Sequence, residues 1–150
     1  MRRTTVALVA AALVAGGLGW TVAGPPAASG CDTAEEELVP VLAAEPVLAA
    51  HLTGAVERSR HGGCLADDPF PYAGRFYESG GDYAAFYARA AVQEGWRPFT
   101  AAQRTCYTKI VGGVTAFLSV AAHEVDGVRG YGIDIAATHE PPPEDGGLLC

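Results

Sequence analysis

The sequence predicts an α+β fold. The expected form is a two-layer domain with an N-terminal helix, then β-α-β-β-β, its last three strands an antiparallel meander packed on the second helix. Three observations carry this. Residues 82–94, "DYAAFYARAAVQE", repeat large apolar side chains at the three-to-four spacing of one helix face. Two turn signals follow, "VGGV" and "VDGV", each placing two turn-prone residues between valines. The two hairpin registers those turns impose are set independently, yet they agree on a single apolar face.

The chain opens "MRRTTVALVAAALVAGGLGWTVAGPPAASGC". Arg2 and Arg3 precede an uncharged run from Thr4 to Ala23, the pattern of an export signal. Roughly 20 apolar residues also suffice to span a bilayer as a retained anchor. The flanking positive charge favours a cytoplasmic N-terminus, so the remainder is expected outside the cytoplasm, membrane-anchored or secreted. "ASGC" resembles a bacterial lipobox with Cys31 as the possible lipidation site, although Ala28 stands where that pattern usually has Leu. Residues 1–30 thus read as signal peptide or membrane anchor with a linker, 31–62 as a helical segment, 63–140 as the α+β core and 141–150 as an extended tail. There are no internal repeats.

In the helical segment Asp32 or Thr33 can cap the N-terminus, and Glu35, Glu36 and Glu37 suit the positive end of the helix dipole. Leu38, Val41, Leu42, Val47, Leu48 and Leu52 are expected to face the core. Pro40 and Pro46 lack the amide hydrogen, so the helix should break or kink near one of them. "HGGCLADDP" reads as turn, and "FPYAGRFYES" as a first strand. Asp82 is a good N-cap for the next helix, and Gly95 a natural stop. Pro98 argues for a loop up to Gln103.

In the meander, two-residue turns pair Val111 with Val114, Lys109 with Ala116 and Tyr107 with Leu118. They also pair Glu124 with Arg129, Ala122 with Tyr131, Val120 with Ile133 and Leu118 with Ile135. The period of two then gathers Tyr107, Val111, Val114, Ala116, Leu118, Val120, Ala122, Tyr131, Ile133 and Ile135 on one face. Lys109 is the exception there and would have to reach out past an edge.

Ser119, His123 and Asp134 share the other face, so a catalytic triad deserves a geometric test. Ser119 lies opposite Asp134, about 5 Å away. His123 is four residues along from Ser119, about 13 Å at 3.3 Å per residue, and a serine–histidine pair needs roughly 3 Å. Cys106, opposite Ser119, is as far from His123. No catalytic residue is assigned.

Cys31, Cys64, Cys106 and Cys150 form an even set in an exported chain, which reads as disulfides. Four cysteines allow three pairings, and spacing does not choose among them. Cys64 with Cys106 is the favoured pair, leaving Cys31 with Cys150 to tie the ends together, while a lipid on Cys31 would leave Cys150 unpaired. There is no CxxC and no close Cys/His spacing for a metal, and His51, His61 and His139 sit in separate segments. The glycines form turn pairs rather than GxGxxG or a phosphate loop, so no cofactor is expected.

All 17 acidic residues lie beyond residue 31. That balance disfavours nucleic acid and anionic lipid head groups. Membrane contact is expected only through the N-terminal segment or a lipid on Cys31. The expected function is an extracytoplasmic, non-enzymatic binding or envelope-interaction module, its partner an envelope protein or a small ligand. The alternative is a small envelope hydrolase using carboxylates among Asp67, Asp68, Glu78 and Asp82. A third reading is a membrane-anchored partner with an exposed apolar patch at Ile110 and Phe117.

"GRFYESGGDYAAFYARAAVQEGW", followed by "CYTKIVGGVTAFLSV", resembles small uncharacterised exported proteins and lipoproteins of high-GC Gram-positive bacteria. The resemblance implies an exported α+β domain with a Cys64–Cys106 bridge, and it carries no catalytic residues.

Overall fold

The computed structural model describes residues 30–64, 70–101 and 104–139. The signal or anchor segment, Asp67, Asp68, Cys150 and the tail beyond His139 lie outside the described residues. Helix α1 spans Thr33–Ala43. Asp32 caps it by accepting from the Glu35 amide, and the Glu35 carboxylate accepts from the Asp32 amide in return, a capping box. Pro40 is accommodated inside this helix. The break falls at Pro46, the first residue of α2 (Pro46–Ala49), where a missing N–H costs nothing.

Among the described residues, six strands then form one antiparallel sheet: β1 (Val56–Cys64), β2 (Pro71–Glu78), β3 (Arg97–Ala101), β4 (Arg104–Val111), β5 (Val114–Val125) and β6 (Val128–Thr138). Their lateral order is β1-β2-β6-β5-β4-β3. Helix α3 (Tyr83–Gln93) lies between β2 and β3 in sequence, with Asp82 as its N-cap and Gly95 at φ +83° just past its end. The architecture is α+β, as expected, but strands dominate and two were not anticipated. β1 occupies residues read as helix and turn, and it crosses the boundary set at residue 62. "VERSRHGGC" has no alternation, so its pairing with β2 is what makes it a strand. β3 replaces the expected loop, with Pro98 tolerated because β3 is an edge strand.

The meander has the register that its turns dictate. Val111 pairs with Val114, Tyr107 with Leu118, Glu124 with Arg129 and Leu118 with Ile135. The expected apolar face is the core, except towards the second turn, where Val120 is only partly buried and Ala122 is exposed. Leu118, Ile133, Ile135 and Ala116 are fully buried beneath Leu42, Val47 and Leu48 from the first two helices and Tyr87 and Ala91 from α3. Val41 is an exception and faces solvent. Lys109 does not leave past an edge. It turns inward, donates to Glu45 at 2.8 Å and lies 5.7 Å from the centre of the buried Trp96 ring.

Tyrosine hydroxyls fix the extended segment after α2. Tyr77 donates to the Leu48 carbonyl at 2.7 Å, Tyr87 donates to the Ala50 carbonyl, and Tyr131 accepts from the Leu52 amide. The rings themselves stack: His51 on Tyr77 at 5.4 Å, Tyr77 on Tyr131 at 5.5 Å and Tyr131 on Tyr83 at 5.3 Å. These three hydroxyls thus have partners, as burial of a phenol requires.

The structure pairs Cys31 with Cys64, with Cα atoms 5.7 Å apart. This corrects both expected bridges, Cys64–Cys106 and Cys31–Cys150. It also takes the Cys31 sulfur that a lipid would need, since one sulfur cannot be both thioether and disulfide. The bridge ties the start of α1 to the end of β1, a juxtaposition hidden while β1 was read as turn. Cys106 is also disulfide-bonded. Disulfides are characteristic of oxidising compartments. No helix among the described residues is long and apolar enough to cross a membrane.

Candidate binding face

The helices cover one face of the sheet. On the other, β1, β2, β6 and β5 set four residues in one lateral row: His61 opposite Gly74, Gly74 opposite Asp134 and Asp134 opposite Ser119. Gly74 has no side chain, so the His61 ring crosses β2 and its Nε2 reaches Asp134 Oδ1 at 2.6 Å. A Cβ on Gly74 would stand 2.0 Å from that oxygen and 2.4 Å from that nitrogen. A carboxylate oxygen accepts, so Nε2 is the donor in this contact.

Gly132 extends this floor. A Cβ there would be 3.4 Å from both Asp134 Oδ2 and the His123 ring. Phe76 meets His123 edge-on at 6.4 Å. The other half of the face is apolar, where Cys106 and Phe117 are buried against Phe70, Phe99 and Ala136. Phe117 is therefore no part of an exposed patch, although Ile110 is well exposed.

The residues singled out from sequence separate accordingly. Ser119 and Asp134 face each other. His123 stands beside Phe76, and Cys106 is spent in a disulfide. Glu78 is ion-paired with Arg58, and Asp82 accepts the Ala85 amide as a helix cap. These two carboxylates are thus tied up in structure. Among the described residues, no three metal-ligating side chains come together. Sequence reasoning missed the partner that matters, His61, because its strand was unrecognised. The available signal was Gly74, a lone glycine in an aromatic strand, which marks close approach by a neighbour.

At the rim of the helix-covered face lies a second cluster. Glu57 accepts from Arg60 and from Arg75, the latter at 2.9 Å, and Tyr77 donates to it at 3.3 Å. Arg60, then Arg75, hold the Glu57 carboxyl below its ordinary range, against the opposing effect of partial burial. At the end of the sheet an open hollow of about 630 Å³ is lined by Val56, Arg58, Glu78, Gly80, Tyr83 and Arg129.

Comparison of the chain with protein-family models, with curated proteins and with solved structures gave no match.

Proposed function

We propose that this protein is an extracytoplasmic binding module without catalysis of its own. It meets an envelope component, a protein or a small ligand, through the helix-free face of its sheet. The His61–Asp134 pair over Gly74 carries the reading. Its geometry displays a fixed imidazole on a glycine floor, open to a partner. Ser119, the nearest hydroxyl in the row, is on the far side of Asp134, so the imidazole has no nucleophile beside it among the described residues. The Cys31–Cys64 bridge supports export, as does the resemblance to exported domains of high-GC Gram-positive bacteria.

The test is site-specific photo-crosslinking of the full-length protein in bacterial cells of that kind. A crosslinker at Ser119 should capture an envelope component, and one at Arg89 on the exposed side of α3 should not. Turnover of an acyl, glycosyl or phosphoryl substrate that disappears in Asp134→Asn would make the protein an enzyme instead. Turnover that depends on Asp67 or Asp68 would favour the hydrolase reading.

A further inference from the structure

β1 ends the sheet, and among the described residues no strand pairs with its outer side. Residues 58–62 are exposed one after another. Such an edge is a row of unpaired amides and carbonyls that another chain can extend, and proteins usually blunt it. The opposite edge, β3, is blunted by Pro98, which has no N–H to offer. β1 contains no proline. Its single irregularity lies between Glu57 and Ser59, and from Ser59 to Cys64 every residue pairs in step with residues 76 to 71 of β2. A regular outer ladder therefore follows the bulge.

Two further features say what fits there. Gly63 carries no side chain, which lets a second backbone approach, whereas Gly62 is already matched within the chain, a Cβ there falling 3.4 Å from Val39 of α1. Arg58 and Arg60 place two guanidinium groups on this strand, 52% and 68% exposed, in a chain of formal net charge −7. Glu78 and Glu57 offset part of that charge. Arg60 engages Glu57 only through Nε, so its two terminal nitrogens have no partner among the described residues. The His61 side chain lies on the other face of the same strand.

We propose that the outer edge of β1, at Ser59–Cys64, accepts an extended acidic segment of a partner protein as an added strand. Main-chain hydrogen bonds supply the adhesion. Carboxylates on one side of the added strand meet Arg60, and residues on its other side meet His61. The proposal deepens the binding-module reading by naming a partner chemistry. It rests on that reading only in placing the partner in the envelope.

The probe is a capped peptide of alternating glutamate and valine, with a lysine–valine peptide as control, added to the full-length oxidised protein. Amide hydrogen exchange locates the contact, and titration at low and high salt measures it. Slowed exchange should be confined to residues 59–63. Affinity should fall about tenfold in Arg60→Glu, as loss of a charge contact predicts, and less in Arg60→Gln, which keeps the size of the side chain. High salt should weaken binding, and the lysine peptide should not bind. The proposal is overturned if the glutamate peptide leaves exchange at 59–63 unchanged, if the lysine peptide binds equally, or if both Arg60 variants bind like the parent. Concentration-dependent protection of the same amides without peptide would give the edge to a second copy and overturn it too. Crosslinks from Ser119 with no protection at β1 would remove the edge proposal and leave the module reading standing.

Discussion

His61 Nε2 and Asp134 Oδ1 meet 2.6 Å apart across an intervening strand, directly over Gly74. Both side chains are more than 40% exposed, so the pair adds no more than about 1 kcal/mol. Its consequence is orientation rather than stability. It fixes an imidazole that would otherwise turn freely, and it links the edge strand to the centre of the sheet.

Gly74→Ala tests how closely the pair depends on its floor. The new methyl would meet the carboxylate and the imidazole inside contact distance, and the Ile133 carbonyl at 2.9 Å. The expected result is a loss of about 1–3 kcal/mol in urea unfolding, the usual cost of overpacking. Adding Asp134→Ala should return part of that loss, because the closest clash goes with the carboxylate. Asp134→Asn alone should cost less than about 1 kcal/mol. If Gly74→Ala unfolds like the parent protein, the side chains are not seated over the glycine.

The Cys31–Cys64 bridge joins residues 33 apart in sequence. The chain-entropy model gives about 4 kcal/mol for a loop of that size. Cys31→Ser or Cys64→Ala should lower unfolding stability by up to that amount. Proteolysis of the oxidised protein should release a disulfide-linked fragment pair containing Cys31 and Cys64. A fragment pair containing Cys64 and Cys106 would contradict the fold, since Cys64 ends one edge strand while Cys106 lies in β4, four strands away.

Much of the sheet can be read from residues alone, and the reason is local. In "VGGV" and "VDGV" the turn chemistry sets the register, and the alternation around it then chooses the buried side. Nothing of that kind marks β1. Its arginines, serine, histidine and paired glycines make neither an alternating nor a helical pattern, and only its partner β2 determines its conformation. β3 is disguised by Pro98, whose missing N–H matters less at an edge. The candidate face inherits this gap. Ser119 and Asp134 are placed by the hairpin register, but His61 reaches Asp134 from the unreadable strand. Cysteine pairing is lost for the same reason, because Cys64 closes that strand.

Lys109 stands on the apolar face and is held there by Glu45, whose side chain is only 12% exposed. Lys109→Met would leave that largely buried carboxylate without its cation. A cost of about 1.5–3 kcal/mol is expected, the range for a hydrogen bond between charged groups. Lys109→Met with Glu45→Gln should recover part of it, because no unpaired charge then remains. Trp96 fluorescence should change in both variants, as the ammonium lies 5.7 Å from the ring centre. Unchanged stability in Lys109→Met would mean that the lysine reaches solvent instead.

Burial raises the phenol pKa of Tyr77, Tyr87 and Tyr107, and for Tyr87 the neighbouring Tyr131 adds to it. The unfolded chain ionises these groups near pH 10. The folded chain resists, so their contribution to stability is complete below about pH 10 and is lost as pH rises towards the folded values. Tyrosinate absorbance from these three should therefore appear together with loss of the β-sheet circular dichroism signal in an alkaline titration. Tyr87→Phe should cost about 1 kcal/mol near neutral pH, by loss of its bond to the Ala50 carbonyl. The same variant should lose stability less steeply above about pH 10, having one fewer proton to release on unfolding. Ionisation of every tyrosine near pH 10 with the sheet intact would show that the hydroxyls do not anchor the segment after α2.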